Sequence, residues 1–353
     1  MSRSILTSFS ISGLLLLGVV IVAAAAERPQ DHLHSDKQCV SCHKDGVTDL
    51  LKVLSQPKRR CTQCHTEQQI REGDFSSPLP FSEEEGVDPK LKLSADAGLG
   101  LPLYYTRSRI GAEPNEMVEI PAGTFIMGTD GRLPDEGPQH EVHLAAYLID
   151  RYEVTNLQYE TFIKAVNRRS PAHFRNRTYP EGKVDHPVVF VGWDDAVAYC
   201  EWAGKRLPTD KEWEKAARSS DGRTYPWGDI FDPKKSNNPV RWRAAGQTGD
   251  TTPVGAFATG VSAHGLYDTS GNVWEWTASW YYPYPGNEVP SESYGERYKT
   301  LKGGSWFDCS FYKCGISAPL FNRAFFARRT KNDTFGFRCA KDVAATNGEV
   351  RER

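Results

Sequence analysis

The pattern of apolar and polar positions changes several times along the chain. Residues 11 to 26 form one apolar run, Ile-Ser-Gly-Leu-Leu-Leu-Leu-Gly-Val-Val-Ile-Val-Ala-Ala-Ala-Ala, behind Ser2-Arg3. A basic start, an apolar centre and a small-residue end predict a secretory signal over residues 1 to 26. Cleavage after Ala26 is the favoured reading. The alternative is an uncleaved anchor through residues 5 to 26, since about 20 apolar residues cross a bilayer. From 27 to about 75 the large apolar side chains thin out to Leu50, Leu51, Val53 and Leu54, too few for a self-sufficient core. Residues 76 to 115 show no sustained period, and Ser76-Ser-Pro-Leu-Pro-Phe-Ser-Glu-Glu-Glu-Gly-Val-Asp-Pro89 reads as an extended linker. Within it Glu83 to Glu85 read as a solvated turn, and Leu99 to Tyr105 are apolar enough to pack on a larger body.

From residue 116 to 343 short apolar runs alternate with tight turns. Met117-Val-Glu-Ile-Pro-Ala-Gly-Thr-Phe-Ile-Met-Gly128 alternates, turns at Ala122-Gly123 and alternates again, which predicts a hairpin. Thr155-Asn-Leu-Gln158 is a capping box that opens a helix with Tyr159, Phe162, Ile163 and Val166 on one face. A second helix is expected over about Asp194 to Ala203, stopping at Gly204. A third, capped by Thr209-Asp-Lys-Glu212, runs through Ala217. Residues 344 to 353 read as a tail.

Composition narrows the class. At 353 residues the chain has room for two domains. Its 43 basic against 45 acidic side chains leave a net charge of −2, without the basic excess that nucleic acid requires. Nine Trp, 30 Gly and 22 Pro point to a turn-rich fold pinned by large rings rather than a helical bundle.

The sharpest chemistry lies in the apolar-poor segment. Cys39-Val-Ser-Cys42-His43 and Cys61-Thr-Gln-Cys64-His65 are two C-x-x-C-H motifs. Two thiols at this spacing can each add to a vinyl group of one porphyrin, and the following imidazole then ligates the iron. Two haem c groups are therefore expected, held by Cys39, Cys42, Cys61 and Cys64, with His43 and His65 on the irons. A zinc ribbon is the alternative, but four ligands would leave two of the six groups unused. The only methionines are Met1, Met117 and Met127, whereas His32 and His34 precede the first motif. That favours His34, and after it His32, as further iron ligands, and a lower potential than Met/His ligation gives. Export and haem attachment agree, placing the protein in the periplasm or on the outer face of a bacterial inner membrane.

Further motifs then fall into a recognisable order. Gly192-Trp193-Asp-Asp-Ala-Val-Ala-Tyr-Cys200-Glu-Trp-Ala-Gly-Lys-Arg-Leu-Pro-Thr209, Tyr225-Pro-Trp-Gly228, Gly265-Leu-Tyr-Asp-Thr-Ser-Gly-Asn-Val-Trp-Glu-Trp276, Gly303-Gly-Ser-Trp306 and Phe335-Gly-Phe-Arg338 follow one another. In this order they resemble the formylglycine-generating enzyme family, also called sulfatase-modifying factor. The resemblance covers nearly all of residues 116 to 343. It implies an α+β domain of the C-type-lectin-like kind with little regular secondary structure, preceded here by a small haem-organised segment.

The resemblance also implies three sites. Cys200 and Cys339 match a family disulfide. Asp268, Gly271, Val273 and Glu275 match calcium positions, and hard oxygen donors around a tight turn suit that ion. Cys309 and Cys314 match the thiolate pair that holds copper(I), which soft ligands favour. Around this last pair the chain departs from the family: an extra residue follows Ser305, Ser310-Phe-Tyr-Lys313 separates the cysteines, and Gly315-Ile-Ser-Ala-Pro319 follows them. A plain Cys309–Cys314 disulfide is the alternative to copper. His140, His143, His173, His186 and His264 are scattered and read as packed or surface residues.

Together these features predict an exported dihaem electron-transfer protein whose larger domain docks redox partners in a membrane-associated assembly. The alternative is a copper-dependent oxidase of thiol substrates with the haems as electron source.

Overall fold

The computed structural model describes residues 108–307 and 319–343. The expected signal, the haem residues (His32, His34, Cys39, Cys42, His43, Cys61, Cys64 and His65), Cys309, Cys314 and the tail lie outside the described residues.

The described chain is a mixed α+β fold of small sheets and short helices. One sheet has the order β1 (Met117–Ile120), β4 (Tyr147–Asp150), β9 (Ala340–Asp342). A ribbon pairs β2 (Gly123–Met127) with β3 (His140–Leu144). The largest sheet runs β7 (Ala324–Phe326), β6 (Gly295–Lys302), β5 (Trp274–Tyr281), β8 (Phe335–Gly336), with β5 and β8 parallel. The helices are α1 (Asn156–Ala165), α2 (Trp193–Trp202), α3 (Asp210–Arg218) and the short α4 (Pro239–Ala244).

The helix starts follow from their caps. Thr155 Oγ1 accepts from Gln158 N at 3.3 Å while Gln158 Oε1 accepts from Thr155 N at 2.9 Å, so two orphan amides at the start of α1 are satisfied. Thr209 and Glu212 repeat the device on α3. Tyr159, Phe162 and Ile163 turn inward to meet Tyr199 and Cys200 of α2, Trp274 and Trp276 of β5, and Phe335 and Phe337. Tyr199 lies edge-on to Phe162 and Phe337, with centroids 5.5 and 5.4 Å apart, a geometry that aromatic quadrupoles favour. Cys200 and Cys339 form a disulfide that ties α2 to the residue before β9 across 139 positions.

Two expectations are corrected. Met117 to Met127 does not close a hairpin, because β1 pairs with β4 and β2 with β3. Pro121 has no amide to donate, and the Pro121 and Gly123 carbonyls accept from Lys215 Nζ of α3 at 2.7 and 2.9 Å. The chain is thus passed from one sheet to the next. Val166 also leaves the apolar face of α1: it is the C-cap residue, beyond the last helical turn, and is 47% exposed.

Residues 108 to 115, which composition assigned to the linker, are bonded to the body. Asp185 accepts from Ser108 Oγ at 2.5 Å and from Arg109 N at 2.6 Å. Gln158 Nε2 donates to Glu113 O and Asn115 Oδ1, and Asn115 Nδ2 donates to Tyr152 O and Glu153 O. The polar partners that order this stretch are remote in sequence, so its composition gives no hint of them.

Candidate functional site

The chemistry-bearing residues gather where β5, β8 and the Gly303–Phe307 turn meet. Arg338 is fully buried at the centre. It donates to Glu275 Oε2 at 2.6 Å and Oε1 at 2.7 Å, and to the main-chain oxygens of Asp150, Arg151 and Tyr267. Only a planar guanidinium can serve a carboxylate and three carbonyls at once. Trp213 Nε1 donates to the same Glu275 oxygen at 2.8 Å.

Two more buried carboxylates lie beside this pair. Asp268, held at φ 61°, accepts from Gly255 N at 2.7 Å. Glu153 accepts from Asn272 Nδ2 at 2.5 Å and from Val273 N at 3.3 Å. Burial pushes Asp268 up to about 6, with Gly255 N–H and Arg338 opposing. Burial, reinforced by the neighbouring Asp268 and Glu275 charges, holds Glu153 well above the ordinary carboxylate range. Three buried carboxylates thus face one guanidinium.

That excess of negative charge, with oxygen donors only, fits a hard divalent cation in charge and donor type. Arg338 already holds both Glu275 oxygens, so a cation would share that carboxylate with it. Among the described residues no preformed cluster of three or more His, Cys, Asp or Glu is arranged to hold a metal ion. Gly271 has a steric role as well: at φ 127°, a Cβ there would lie 2.2 Å from Asn237 O.

From this cluster a hydrogen-bonded line reaches the turn that leads toward Cys309. Asn272 Oδ1 accepts from Asn237 Nδ2 at 2.9 Å, and Asn237 Oδ1 accepts from Trp242 Nε1 at 2.6 Å. Asn272 O accepts from Trp306 N at 2.9 Å, so one buried asparagine pair holds the Trp242 indole and the Trp306 main chain. Trp242 and Trp306 pack together with Phe307 at their edge. Gly249, at φ 86°, lets them close: a Cβ there would be 2.8 Å from Trp306. Two buried atoms at this end of the domain, Trp274 Nε1 and Asp333 Oδ1, have no hydrogen-bond partner among the described residues.

Asp268 and Glu275 therefore both lie beside Arg338, and Cys200 joins Cys339. The histidines are spread: His186 Nδ1 lies 2.8 Å from Thr251 Oγ1, His173 Nε2 is 3.0 Å from Asn156 Oδ1, and His140 Nδ1 is 2.9 Å from Pro138 O. Sequence reasoning missed Glu153, Asn272 and the Asn237–Trp242 contact. The available signal was Glu153 itself, a charge directly beside Val154 and the Thr155 cap.

A buried carboxylate–guanidinium centre between the Trp-Glu-Trp of β5 and the Phe-Gly-Phe-Arg run that begins in β8, on short sheets with few helices, defines an irregular α+β domain of the formylglycine-generating kind. Residues 106–343 match the profile of the sulfatase-modifying factor enzyme 1-like domain, and the chain belongs to that family. It is 36% identical to the formylglycine-generating enzyme of Thermomonospora curvata, over 64% of this chain and 93% of that one. It is 33% identical to the inactive C-alpha-formylglycine-generating enzyme 2 of Bos taurus, over 66% of this chain and 90% of the relative. Among solved structures PvdO from Pseudomonas aeruginosa superposes with a TM-score of 0.54 at 28% identity, covering 69% of this chain and 99% of that one.

Proposed function

We propose that this protein is an exported dihaem c-type electron carrier whose family domain serves as its mount and docks a redox partner at the outer face of a bacterial inner membrane. The observation that carries the reading is the contrast between two intact C-x-x-C-H motifs and the altered surroundings of Cys309 and Cys314. A domain of this family does not by itself imply oxidase activity: relatives of similar identity include an active enzyme and an inactive one. His43 and His65 ligate the two irons, with His34 and His32 as the further axial candidates. Bound haem supplies one-electron chemistry; the protein's part is to hold the irons and set their potential through the axial ligands. Asp268, Gly271, Val273 and Glu275 are the residues that would hold a calcium ion, which would offset the buried negative charge they share with Glu153. The test is a reductive titration of the purified full chain, followed optically. Two one-electron haem steps are expected, and a chain that takes up no electrons at haem wavelengths overturns the reading.

A second reading has its own observation. Cys309 and Cys314 keep a five-residue separation, and the Thermomonospora relative is a formylglycine-generating enzyme. On this reading the cysteines hold copper(I), which supplies oxygen chemistry on a thiol substrate, and the haems deliver the outside reducing equivalents. It requires one copper per reduced chain, lost in Cys314→Ser. Zero copper, or a Cys309–Cys314 disulfide in the reduced-haem protein, excludes it.

A further inference from the structure

A cluster of cationic side chains lies at the start of α2. Arg168 Nη2 contacts Asp195 Oδ1 at 2.9 Å, Lys331 Nζ contacts Asp195 Oδ2 at 2.5 Å, and Arg328 pairs with Asp194. Arg169 and Arg329, next in sequence to two of these cations, are exposed. Three cations therefore share the Asp194 and Asp195 carboxylates, and two exposed arginines flank them in sequence. Their positions are fixed from beneath: Trp193 N donates to Arg328 O at 2.8 Å, and the Arg328 guanidinium lies 4.7 Å from the Trp193 ring centroid. At Gly192 there is no room for a side chain, since a Cβ would lie 2.9 Å from Arg328 O.

We infer that this basic face is the docking site of the acidic stretch Glu83 to Asp88 of the same chain. Charge is the first argument. Glu83, Glu84, Glu85 and Asp88 place four carboxylates in six residues, and no cation lies between Ser76 and Pro89. Reach is the second. The chain enters the domain at Ser108 and Arg109, which are pinned to Asp185. Asp185 is seven residues from Gly192, so the patch lies within about 25 Å of the pin. Asp88 is twenty residues before Ser108, and a flexible chain of that length has a root-mean-square span of roughly 25 Å. When span and linker match, the effective concentration reaches the millimolar range, enough for several screened ion pairs to close. Arg328 and Arg329 can each present a planar fork to a carboxylate, a geometry lysine lacks. The docking depends on charge and length alone, and so stands whether or not the haem reading does.

The test uses the full-length protein and zero-length carbodiimide coupling of amines to carboxylates, mapped by mass spectrometry. Lys331 and Asp195, in contact at 2.5 Å, give an internal control. Coupling of Lys331 to Glu83, Glu84 or Glu85 is expected at about 20 mM salt, and is expected to fall roughly tenfold at about 0.5 M, where the Debye length shrinks to a few ångströms. It should fall similarly in an Arg328→Gln/Arg329→Gln variant that keeps the control product. In parallel, Glu83→Lys/Glu84→Lys/Glu85→Lys, outside the folded body, should raise the radius of gyration at low salt by small-angle scattering. Absence of the linker product at low salt while the control forms overturns the inference. So does a product indifferent to salt and to the arginine variant, or a patch that binds phosphatidylserine vesicles with no linker product.

Discussion

Glu214 shows what one buried side chain does in this domain. Lys302 Nζ lies 2.8 Å from its Oε2 and Arg218 Nη1 3.1 Å from its Oε1, with Lys302 and Glu214 both fully buried. Burial alone would raise its pKa, but these two cations hold the carboxyl below its ordinary range. Glu214→Gln strands two buried cations, so a loss of about 3–5 kcal/mol is expected in denaturant unfolding. Asp268 behaves in the opposite sense. Its folded pKa is raised to about 6, so without a cation the folded state holds the proton more tightly than the unfolded chain. Stability from this group is therefore full below pH ~4 and is lost as pH rises through about 6. In chelator, the melting temperature of the wild type relative to Asp268→Asn is expected to fall over that window. Calcium is expected to restore the wild type at pH 7 and leave Asp268→Asn unmoved; equal calcium shifts in both would remove Asp268 from the proposed site.

At the scale of elements, local signals read true where partners are near in sequence. The capping boxes at Thr155 and Thr209 place α1 and α3 because donor and acceptor are three residues apart, and Thr155→Ala is expected to cost about 1 kcal/mol. Pairing partners are another matter. Alternation marked β1 and β2 correctly as strands, yet β1 joins β4 and β2 joins β3, across 13 to 33 residues, while Lys215 holds the Pro121 and Gly123 carbonyls between them. Arg338 likewise sat in a recognised motif, but its grip on Glu275, Asp150, Arg151 and Tyr267 belongs to no local pattern. The disulfide is a long-range element of a different kind. Closing a loop of 139 residues constrains the unfolded chain by roughly 4–5 kcal/mol on the loop-entropy model, so Cys200→Ala/Cys339→Ala should lose about that much. An unchanged unfolding midpoint would deny the bond a role in stability.

At the scale of the whole molecule, the family domain was legible from its ordered motifs. Its buried polar line was not: Glu153 to Asn272, Asn272 to Asn237, and Asn237 to Trp242 are contacts between residues up to 119 positions apart. The haem segment reads in the reverse way. The chemistry proposed for it is written in the ten residues of its two C-x-x-C-H motifs, in a stretch with few large apolar side chains. If the family domain is a mount, disabling its thiol pair should leave electron transfer alone. Cys309→Ser/Cys314→Ser is expected to keep the haem spectrum and the rate of reduction by a small donor within about twofold, a difference of only ~0.4 kcal/mol in barrier. A loss of an order of magnitude would bring the oxidase reading forward.

We propose that residues 27 to 75 carry two covalently attached haems. The direct measurement is the intact mass of the exported full chain, paired with a pyridine haemochrome spectrum of the same sample. A mass increased by two haem groups, with a c-type spectrum at two haems per chain and one haem lost in Cys61→Ala/Cys64→Ala, is the expected result. An unmodified mass, or zinc bound in place of haem, would contradict it.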